Sequence, residues 1–477
     1  MRGLVGRRPY LALGVVGFVL LSSLALLELR EGGRLRRLSL SSTVSLEPAA
    51  SCDPDPPANW DKLYKWEDEL PQHNVDLPSP EGRAGRYVYF KNQIQMLGWN
   101  NQLNEVLLNT HLAYKSNRTY VFHDYVWKID YYPWDHHPQR LDVPRTPVNA
   151  LISGPSAGGP WGPGDNAPRA ISLRFLDQVC PPEERRIINT RDVKPPIYWS
   201  PGDVVFNTWQ KLLYEAPERC IEVQGATIEE DRFSQTFDLW FWGTTRALDV
   251  WEDFSKSPVS QLLRTSPIIQ SAVDNNEYLF QPRAPRHLVP KGATNDAWDR
   301  TLAIHIRRGD YKEACMGLAQ WNSTFYSWNL HTFLPDHFNH PPGWDVDRDL
   351  TVKTYLEHCY PDEDKIMEKI RKSRADYIAA AKPGEVRYLD TAFILTNDKS
   401  DFLERLKKRL REDEWYNVVT TRDLELTQHQ KDVGMAVDMD MARKAAVFIG
   451  NGWSSFTSNI VHRRLIDGKE PISIRFF

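Results

Sequence analysis

The chain has 477 residues, of which 41% are hydrophobic and 26% charged, and its net charge is −4. This balance is typical of a globular protein, and the length suffices for two packed domains. No sustained basic block or nucleic-acid-binding motif occurs, so we predict no nucleic-acid partner. Aromatic residues are plentiful, with 17 Trp, 19 Tyr and 19 Phe, as in both sugar-binding clefts and large cores.

The N-terminus contains one long apolar segment. Residues 10–27 carry no charge, and eighteen residues of helix span ~27 Å, close to the hydrocarbon thickness of a bilayer. The apolar core of a cleaved signal peptide is shorter, at ~7–15 residues. We therefore predict an uncleaved transmembrane signal anchor at 10–29 after a cytosolic tail at 1–9. Arginines flank both sides, so the positive-inside count does not decide the orientation.

Two features favour a lumenal location for the rest of the chain. Asn117 and Asn322 begin the tripeptides NRT and NST, which are acceptors for N-glycosylation. The five cysteines are widely spaced without a CxxC pair, so a zinc site is not expected. In the lumen, four of them could form two disulfides, whose pairing the sequence leaves open. Cys52 is the expected leftover. We predict a single-pass type II protein of the Golgi or endoplasmic reticulum membrane, with its folded part in the lumen.

The first folded domain is predicted to follow a stem. Segment 30–85 is rich in Ser, Pro and charge and has no sustained period, which is typical of a stem. The domain is predicted at 86–290 and begins with a strand at 87–90, a helix within 97–115 and a strand at 118–125. Strand–helix–strand is the unit of a parallel sheet.

The middle of the chain is less regular. Gly and Pro are dense at 153–168, which predicts a long loop. Residues 203–255 are rich in Trp and are predicted to be mainly helical. The segment PRAPRHLVPKGATND at 282–296 is the predicted hinge to a second domain at 296–477.

The second domain alternates strands and helices again. The predicted strands lie at 301–308, 388–398, 417–421 and 446–450, and the predicted helices at 362–380, 400–410, 430–445 and 453–465. We expect Ser400 or Asp401 to cap the helix that follows them. Alternation in both halves predicts an α/β fold with two Rossmann-like, doubly wound domains facing a cleft.

The first candidate site follows the strand at 301–308. The sequence LAIHIRRGDY delivers a histidine, two arginines and an aspartate to the carboxyl end of a buried strand: His305, Arg307, Arg308 and Asp310. Ligands of open α/β sheets bind at such ends. Side-chain alternation places the arginines on opposite faces, so one can bind a phosphate in the cleft while the other pairs with Asp310 or another carboxylate. The alternative is a purely structural ion-pair cluster.

The second candidate site is the segment FIGNGWSSFTSNI at 448–460. It runs from a strand through a glycine turn to Ser454, Ser455 and Thr457 at a helix start. Hydroxyls, free backbone N–H groups and the positive end of the helix make this an anion site. The alternative is ordinary N-capping by Ser454 or Ser455. Together with the arginine pair, the segment predicts a diphosphate held between two strand ends.

These motifs resemble those of one enzyme superfamily. HIRRGDY resembles the H-x-R-R-G-D motif of GDP-fucose-dependent α-1,2-fucosyltransferases and the H-x-R segments of α-1,6 and protein O-fucosyltransferases. FIGNGWSSFT, FILTND and NNQLNEVLLNTHLAYKSNRT resemble protein O-fucosyltransferase motifs, in that family's order along residues 97–460. The resemblance implies a GT-B-like pair of domains, with the acceptor on the first and GDP-fucose on the second. It also implies an inverting fucosyltransferase that requires no metal and no cofactor.

The resemblance assigns roles to individual residues. Arg307 would hold the β-phosphate and stabilise the departing GDP, and His305 would shape the pocket. Asn101 would lie near the sugar, and Asp438 would contact the nucleoside. The remaining donor contacts would come from Ser454, Ser455, Phe456 and Thr457. The implied partners are GDP-fucose and a protein or glycan that carries the accepting hydroxyl.

The sequence departs from the family at the start of the early helix. The family has Gly-x-Phe-Gly-Asn-Gln where this chain has LGWNNQ at 97–102, and Gly98 stands in place of the usual arginine. The acceptor contacts and the catalytic base are therefore open. Glu105 lies one helical turn from Asn101 and is a candidate proton acceptor. The alternative for Glu105 is a solvated helix carboxylate.

Two other functions compete with this interpretation. One is a metal-dependent glycosyltransferase that uses another nucleotide sugar, with Mn²⁺ bound by DMD (Asp438, Asp440) or DVDRD (Asp345, Asp347, Asp349). A helix would separate the two aspartates of DMD by ~200°, and DVDRD is predicted to lie in a solvated loop. The other is a membrane-anchored sugar-nucleotide-binding protein without activity, which the missing base would favour.

Overall fold

The computed structural model describes residues 58–132, 144–309, 311–340, 342–344 and 346–477. The predicted tail, membrane span, Cys52, Asp310 and Asp345 lie outside these ranges, as does the first half of the predicted stem, residues 30–57. Within the described part of the chain, no helix combines the length and apolarity needed to cross a membrane.

The described residues contain fourteen strands and seventeen α-helices. The strands are β1 Tyr87–Phe90, β2 Thr119–Phe122, β3 Tyr125–Val126, β4 Arg145–Thr146, β5 Ile152–Ser153, β6 Ile171–Ser172, β7 Arg186–Asn189, β8 Cys220–Gln224, β9 Arg264–Thr265, β10 Thr301–Ile306, β11 Thr391–Thr396, β12 Asn417–Thr420, β13 Val447–Gly450 and β14 Ile474–Phe476. The helices are α1 Asp61–Asp68, α2 Trp99–Lys115, α3 Val148–Leu151, α4 Leu173–Val179, α5 Thr190–Val193, α6 Gly202–Glu215, α7 Leu239–Trp242, α8 Trp251–Lys256, α9 Pro258–Gln261, α10 Pro267–Asn276, α11 Tyr311–Gln320, α12 Arg348–Cys359, α13 Glu363–Ala379, α14 Phe402–Glu412, α15 Gln428–Asp432, α16 Gly434–Lys444 and α17 Ser455–Ile466.

Two parallel sheets organise the two halves of the chain. The first has the strand order β6-β2-β1-β8-β7 and the second β12-β11-β10-β13-β14, and every neighbouring pair in both is parallel. Two short antiparallel ribbons, β3–β4 and β5–β9, complete the strand pairing. The predicted α/β class with parallel sheets is confirmed.

The two halves pack through a common hydrophobic core. Val88 on β1 and Ala303 on β10 belong to the same cluster of buried residues, which covers one face of each sheet. The alternate residues Leu302 and Ile304 face a second cluster on the outer side of the second sheet. Because successive strand residues point to opposite faces, the buried strand β10 is apolar on both.

The predicted stem is wrong for residues 58–85, which are folded onto the first half. Helix α1 lies in this segment, and Trp60 and Leu70 are buried in the common core. The amide of Gln72 donates to the carbonyls of Gly158 and Ala170, at 2.8 and 2.9 Å. Proline and charge dominate the composition of 58–85, so the few apolar anchors did not register as a folded element.

Several predicted elements are confirmed and others were missed. The predicted strands in both halves and the helices at 97–115, 362–380 and 453–465 all occur within a few residues. Residues 203–255 are only partly helical, because they contain strand β8. Strands β7 and β14 were missed as well. The loop at 153–168 has one 3₁₀ turn, Pro155–Ala157, and segment 282–296 has no helix or strand.

One disulfide ties elements together in each half. Cys180 bonds Cys220 beside the first sheet, and Cys315 of α11 bonds Cys359 at the end of α12. These four are the cysteines other than Cys52, so the expectation that they form two disulfides is confirmed.

Candidate active site

Strands β10 and β13 define a switch point of the second sheet. From β10 the chain moves outward to β11 and β12 on one side, and then returns to place β13 on the other side. In doubly wound sheets, the crevice beyond the carboxyl ends of two such strands is where ligands bind. Strand β10 ends just before Arg307, and β13 ends just before Asn451.

His305 joins these two strand ends. Its Nδ1 lies 3.1 Å from the Thr457 hydroxyl, and its ring packs against the Phe456 ring with centroids 4.5 Å apart. Both partners lie in the first turn of α17. Burial, together with the charge of Arg307, lowers the pKa of His305 to about 3, so the ring is neutral at pH 7. The two motifs singled out from the sequence therefore meet at one edge of the sheet.

The two arginines point to opposite faces, as strand alternation predicts. Arg308 is buried between the rings of Tyr360 and Phe402, at 4.4 and 3.9 Å, and donates to the Pro361 carbonyl. The carboxylates of Asp398 and Glu363 lie close enough to act on the charge of Arg308, and Asp310 lies outside the described residues, so pairing with a carboxylate stays a prediction. Arg307 is half-buried on the His305 face, with its guanidinium 4.8 Å from the Tyr311 ring centroid.

Asn397 holds the turn that carries both arginines. Its side chain accepts from the Arg308 N–H at 2.9 Å and donates to the Arg308 carbonyl at 3.1 Å. Gly309, which follows Arg308 in the chain, has a φ of +64°, a conformation that glycine adopts without strain. The sequence analysis missed Asn397, although it lies within the FILTND motif, because a side chain bonded to a distant backbone leaves no local pattern.

The turn after β13 is held by two hydrogen bonds of Asn451. Asn451 donates from its amide to the Cys359 carbonyl at 2.7 Å and accepts the Trp453 N–H at 3.0 Å. A Cβ at Gly452 would lie 2.3 Å from the Phe325 ring, so only glycine fits. The segment from Cys359 to Pro361 thus positions both strand ends, through Asn451 and Arg308.

The first turn of α17 is not capped by a serine hydroxyl. Ser454 is the residue before the helix, and its side chain accepts no hydrogen bond from the helix N–H groups. The N-capping alternative is therefore wrong. Thr457 is fully buried, and Ser455 and Phe456 are half-buried. The orphan N–H groups and the positive helix end at Ser454–Thr457 retain the properties of an anion site.

The start of α2, in the first half, reaches this helix. The Asn459 amide donates both to the Ser455 carbonyl, at 3.2 Å, and to the Asn100 carbonyl, at 2.9 Å. The Tyr326 hydroxyl donates to the Asn101 side chain at 3.4 Å. Asn101 is therefore brought to the α17 side of the molecule. The sequence did not single out Tyr326 or Asn459.

Glu105 is not the solvated carboxylate that the alternative interpretation expected. It is 2% exposed and accepts the Ile94 N–H at 2.8 Å. Burial raises its pKa well above the usual range, and the hydrogen bond from Ile94 offsets this only in part. A role as proton acceptor would require a relay to the surface.

The two aspartates of the DMD motif serve separate contacts. Asp438 is half-buried and accepts the Thr421 hydroxyl at 3.1 Å, just beyond the carboxyl end of β12. Burial raises the pKa of Asp438 to about 7. Asp440 accepts from Thr265 and Arg443 instead. Across the described ranges, no three His, Cys, Asp or Glu side chains lie close enough together to hold a metal ion.

Comparison with known proteins gives structural similarity only. No protein-family model and no curated protein sequence matches the chain. Solved structures to which it is similar include fucosyltransferases. POFUT1 in complex with GDP-fucose aligns with a TM-score of 0.46 and 13% identity over 85% of this chain and 99% of that one. The NodZ α-1,6-fucosyltransferase soaked with GDP-fucose gives 0.37 and 13% over 80% and 92%, and an Arabidopsis thaliana FUT1 variant with GDP gives 0.34 and 11% over 84% and 73%.

Proposed function

We propose that the chain is a GDP-fucose-dependent glycosyltransferase that moves fucose to a hydroxyl of a protein Ser/Thr or of a glycan, with inversion and without a metal. One observation carries the proposal. His305 on the strand of the arginine motif contacts Phe456 and Thr457 at the start of α17, which joins the arginine motif to an uncapped helix end. A guanidinium and a helix N-terminus are both suited to a diphosphate.

The chemistry of transfer explains why such a junction is useful. As the bond between fucose and the diphosphate breaks, negative charge develops on the leaving phosphate oxygens. Arg307 is positioned by the Asn397-bonded turn, and the α17 donors by the Asn451-bonded turn. Because both are fixed before reaction, they stabilise the developing charge without reorganisation. Losing one such group typically lowers the rate by ~10²–10³.

The neutral state of His305 suits a position beside Arg307. A protonated ring would repel the guanidinium, whereas a neutral ring can pack on Phe456 and bond Thr457. His305 therefore shapes the pocket wall rather than supplying charge. Asp438, with its pKa near 7, is the candidate contact to the nucleoside, and Asn101 the candidate contact to the sugar.

The two disulfides support the proposed compartment. Disulfides persist in oxidising environments such as the endoplasmic reticulum and Golgi lumen. We propose a type II anchor through residues 10–29, with the described part of the chain in the lumen.

Hydrolysis of nucleotide sugars without an acceptor tests the proposed function. We expect slow release of GDP from GDP-fucose, but not of the nucleotide from UDP- or CMP-sugars, and no loss of rate in EDTA. Arg307→Ala should lower the rate by about 10²–10³ while the melting temperature stays the same. Near-normal activity of Arg307→Ala would contradict the site assignment.

The same assay separates the two alternatives. Activity abolished by EDTA would favour the metal-dependent glycosyltransferase. Tight GDP binding by calorimetry, without hydrolysis or transfer, would favour the inactive binding protein.

A further inference from the structure

We propose that the stacked aromatic pair Trp127–Tyr131 is the acceptor subsite and that it binds the ring of a sugar, so the acceptor is a glycan. The inference rests on the proposed function and names its substrate class. Three features carry it: the exposure of the pair, its place beside the candidate active site, and the chemistry of a flat aromatic surface.

The pair forms a flat aromatic surface open to solvent. The ring centroids of Trp127 and Tyr131 are 4.1 Å apart and the ring planes differ by 5°. Tyr131 is 57% exposed although one face of its ring lies on Trp127. Its exposed area is therefore on the outer face and the ring edge. Tyr125, buried beneath, packs against Trp127 with centroids 6.1 Å apart and fixes the base of the stack.

The pair lies at the start of α2, where the first half reaches the donor helix. Among the described residues, a Cβ built on Gly98 would have a single neighbour within 4 Å, the Trp127 ring at 3.8 Å. Gly98 immediately precedes α2, whose Asn100 carbonyl accepts from Asn459 on α17. The Trp127 ring therefore lies beside the start of α2, next to the segment that contacts α17 through Asn100.

The chemistry of this surface favours a sugar over a polypeptide. An aromatic face carries negative charge density and attracts the C–H groups that line one side of a pyranose ring. Stacking on Trp127 holds the Tyr131 ring in place and leaves its outer face as such a surface. An extended peptide would instead need backbone hydrogen-bonding partners such as an open strand edge, which this pair does not supply.

Glycan binding and transfer by the full chain test the inference. The probes are lactose, N-acetyllactosamine, chitotriose and maltotriose, each measured for binding by saturation-transfer NMR in the presence of GDP and for fucosyl transfer from GDP-fucose. We expect at least one probe to bind, and Trp127→Ala and Tyr131→Ala each to weaken its binding and raise its KM on the order of tenfold. The control is Trp199→Ala, at a 61% exposed tryptophan that packs on Arg246, which should leave both unchanged.

The outcomes separate this inference from the proposed function. Binding lost in the two variants supports the subsite even if GDP-fucose is not turned over, in which case the proposed reaction fails alone. If GDP-fucose is hydrolysed but none of the glycan probes binds, the subsite is overturned and the proposed reaction stands. The same holds if GDP-fucose is hydrolysed and the probes bind equally to Trp127→Ala, Tyr131→Ala and Trp199→Ala. Transfer only to Ser/Thr of a folded protein would also overturn it.

Discussion

Arg308→Ala should destabilise the protein, whereas Arg307→Ala should mainly slow the reaction. Arg308 is 5% exposed and lies between the rings of Tyr360 and Phe402. Two desolvated cation–π contacts contribute about 1–2 kcal/mol each. The charged hydrogen bond to the Pro361 carbonyl contributes about 1.5–3 kcal/mol. Burial of the guanidinium costs desolvation free energy and lowers the pKa of Arg308, and Arg308→Ala removes this cost as well. We therefore expect a net decrease of about 2–4 kcal/mol in the free energy of unfolding.

Equilibrium urea unfolding, followed by tryptophan fluorescence, measures this difference. Arg308→Met is the matched control, because it keeps much of the side-chain volume between the rings and should lose less stability than Arg308→Ala. Arg307 is half-buried, so Arg307→Ala should change the free energy of unfolding by less than about 1 kcal/mol. If Arg307→Ala unfolded far more easily than Arg308→Ala, the roles assigned to the two arginines would be reversed.

Three further predictions follow from contacts around the site and at the first helix. Tyr326→Phe removes two 3.4 Å hydrogen bonds, one donated to the Asn101 side chain and one accepted from the Asn104 amide, so kcat should fall several-fold while the affinity for GDP, measured by calorimetry, is unchanged. Burial raises the pKa of Glu67 to about 7, so the folded protein holds this proton more tightly than the unfolded chain does. The resulting stabilisation is fully present below about pH 4.5 and is lost as the pH rises through 7. Glu67→Gln should therefore flatten the pH dependence of urea unfolding and stabilise the protein at pH 8, by on the order of 3 kcal/mol. Replacing Cys315 and Cys359 by serine should cost about 4 kcal/mol, since the bond closes a loop with a sequence separation of 44, and should weaken GDP binding through the Cys359–Asn451 contact.

Each of these predictions has an internal comparison. For Tyr326, a loss of GDP affinity equal to the loss of kcat would indicate disruption of the donor turn instead of an effect confined to Asn101 and Asn104. For Glu67, stability that rises between pH 5 and 8 would reverse the sign worked out above. For the disulfide, the control is the Cys180–Cys220 bond, which has a sequence separation of 40 and lies beside the first sheet. Its removal should cost similar stability but leave GDP binding intact.

Local patterns in the sequence predicted many of the strands and helices of the second half. Strand β10 and helix α17 could be placed because a buried parallel strand is apolar on both faces, and because a glycine turn followed by hydroxyl residues is typical of a helix start. The opposite orientation of Arg307 and Arg308 followed from strand geometry alone. Strands β7, β8 and β14 were missed, because charged residues such as Glu222 and Arg475 interrupt their apolar runs.

The sequence by itself determined the class of fold, the two motifs and the count of available disulfide cysteines, because each depends on residue type and spacing within a short segment. Tertiary structure alone decided which contacts those motifs make. It brought Asn397 to the backbone of Arg308, Asn451 to the Cys359 carbonyl and Asn459 to α2. It also buried Glu105, a position that no helical pattern distinguishes from a solvated one. The physical reason is that hydrogen bonds between distant segments depend on packing of whole elements, which leaves no local periodicity to read.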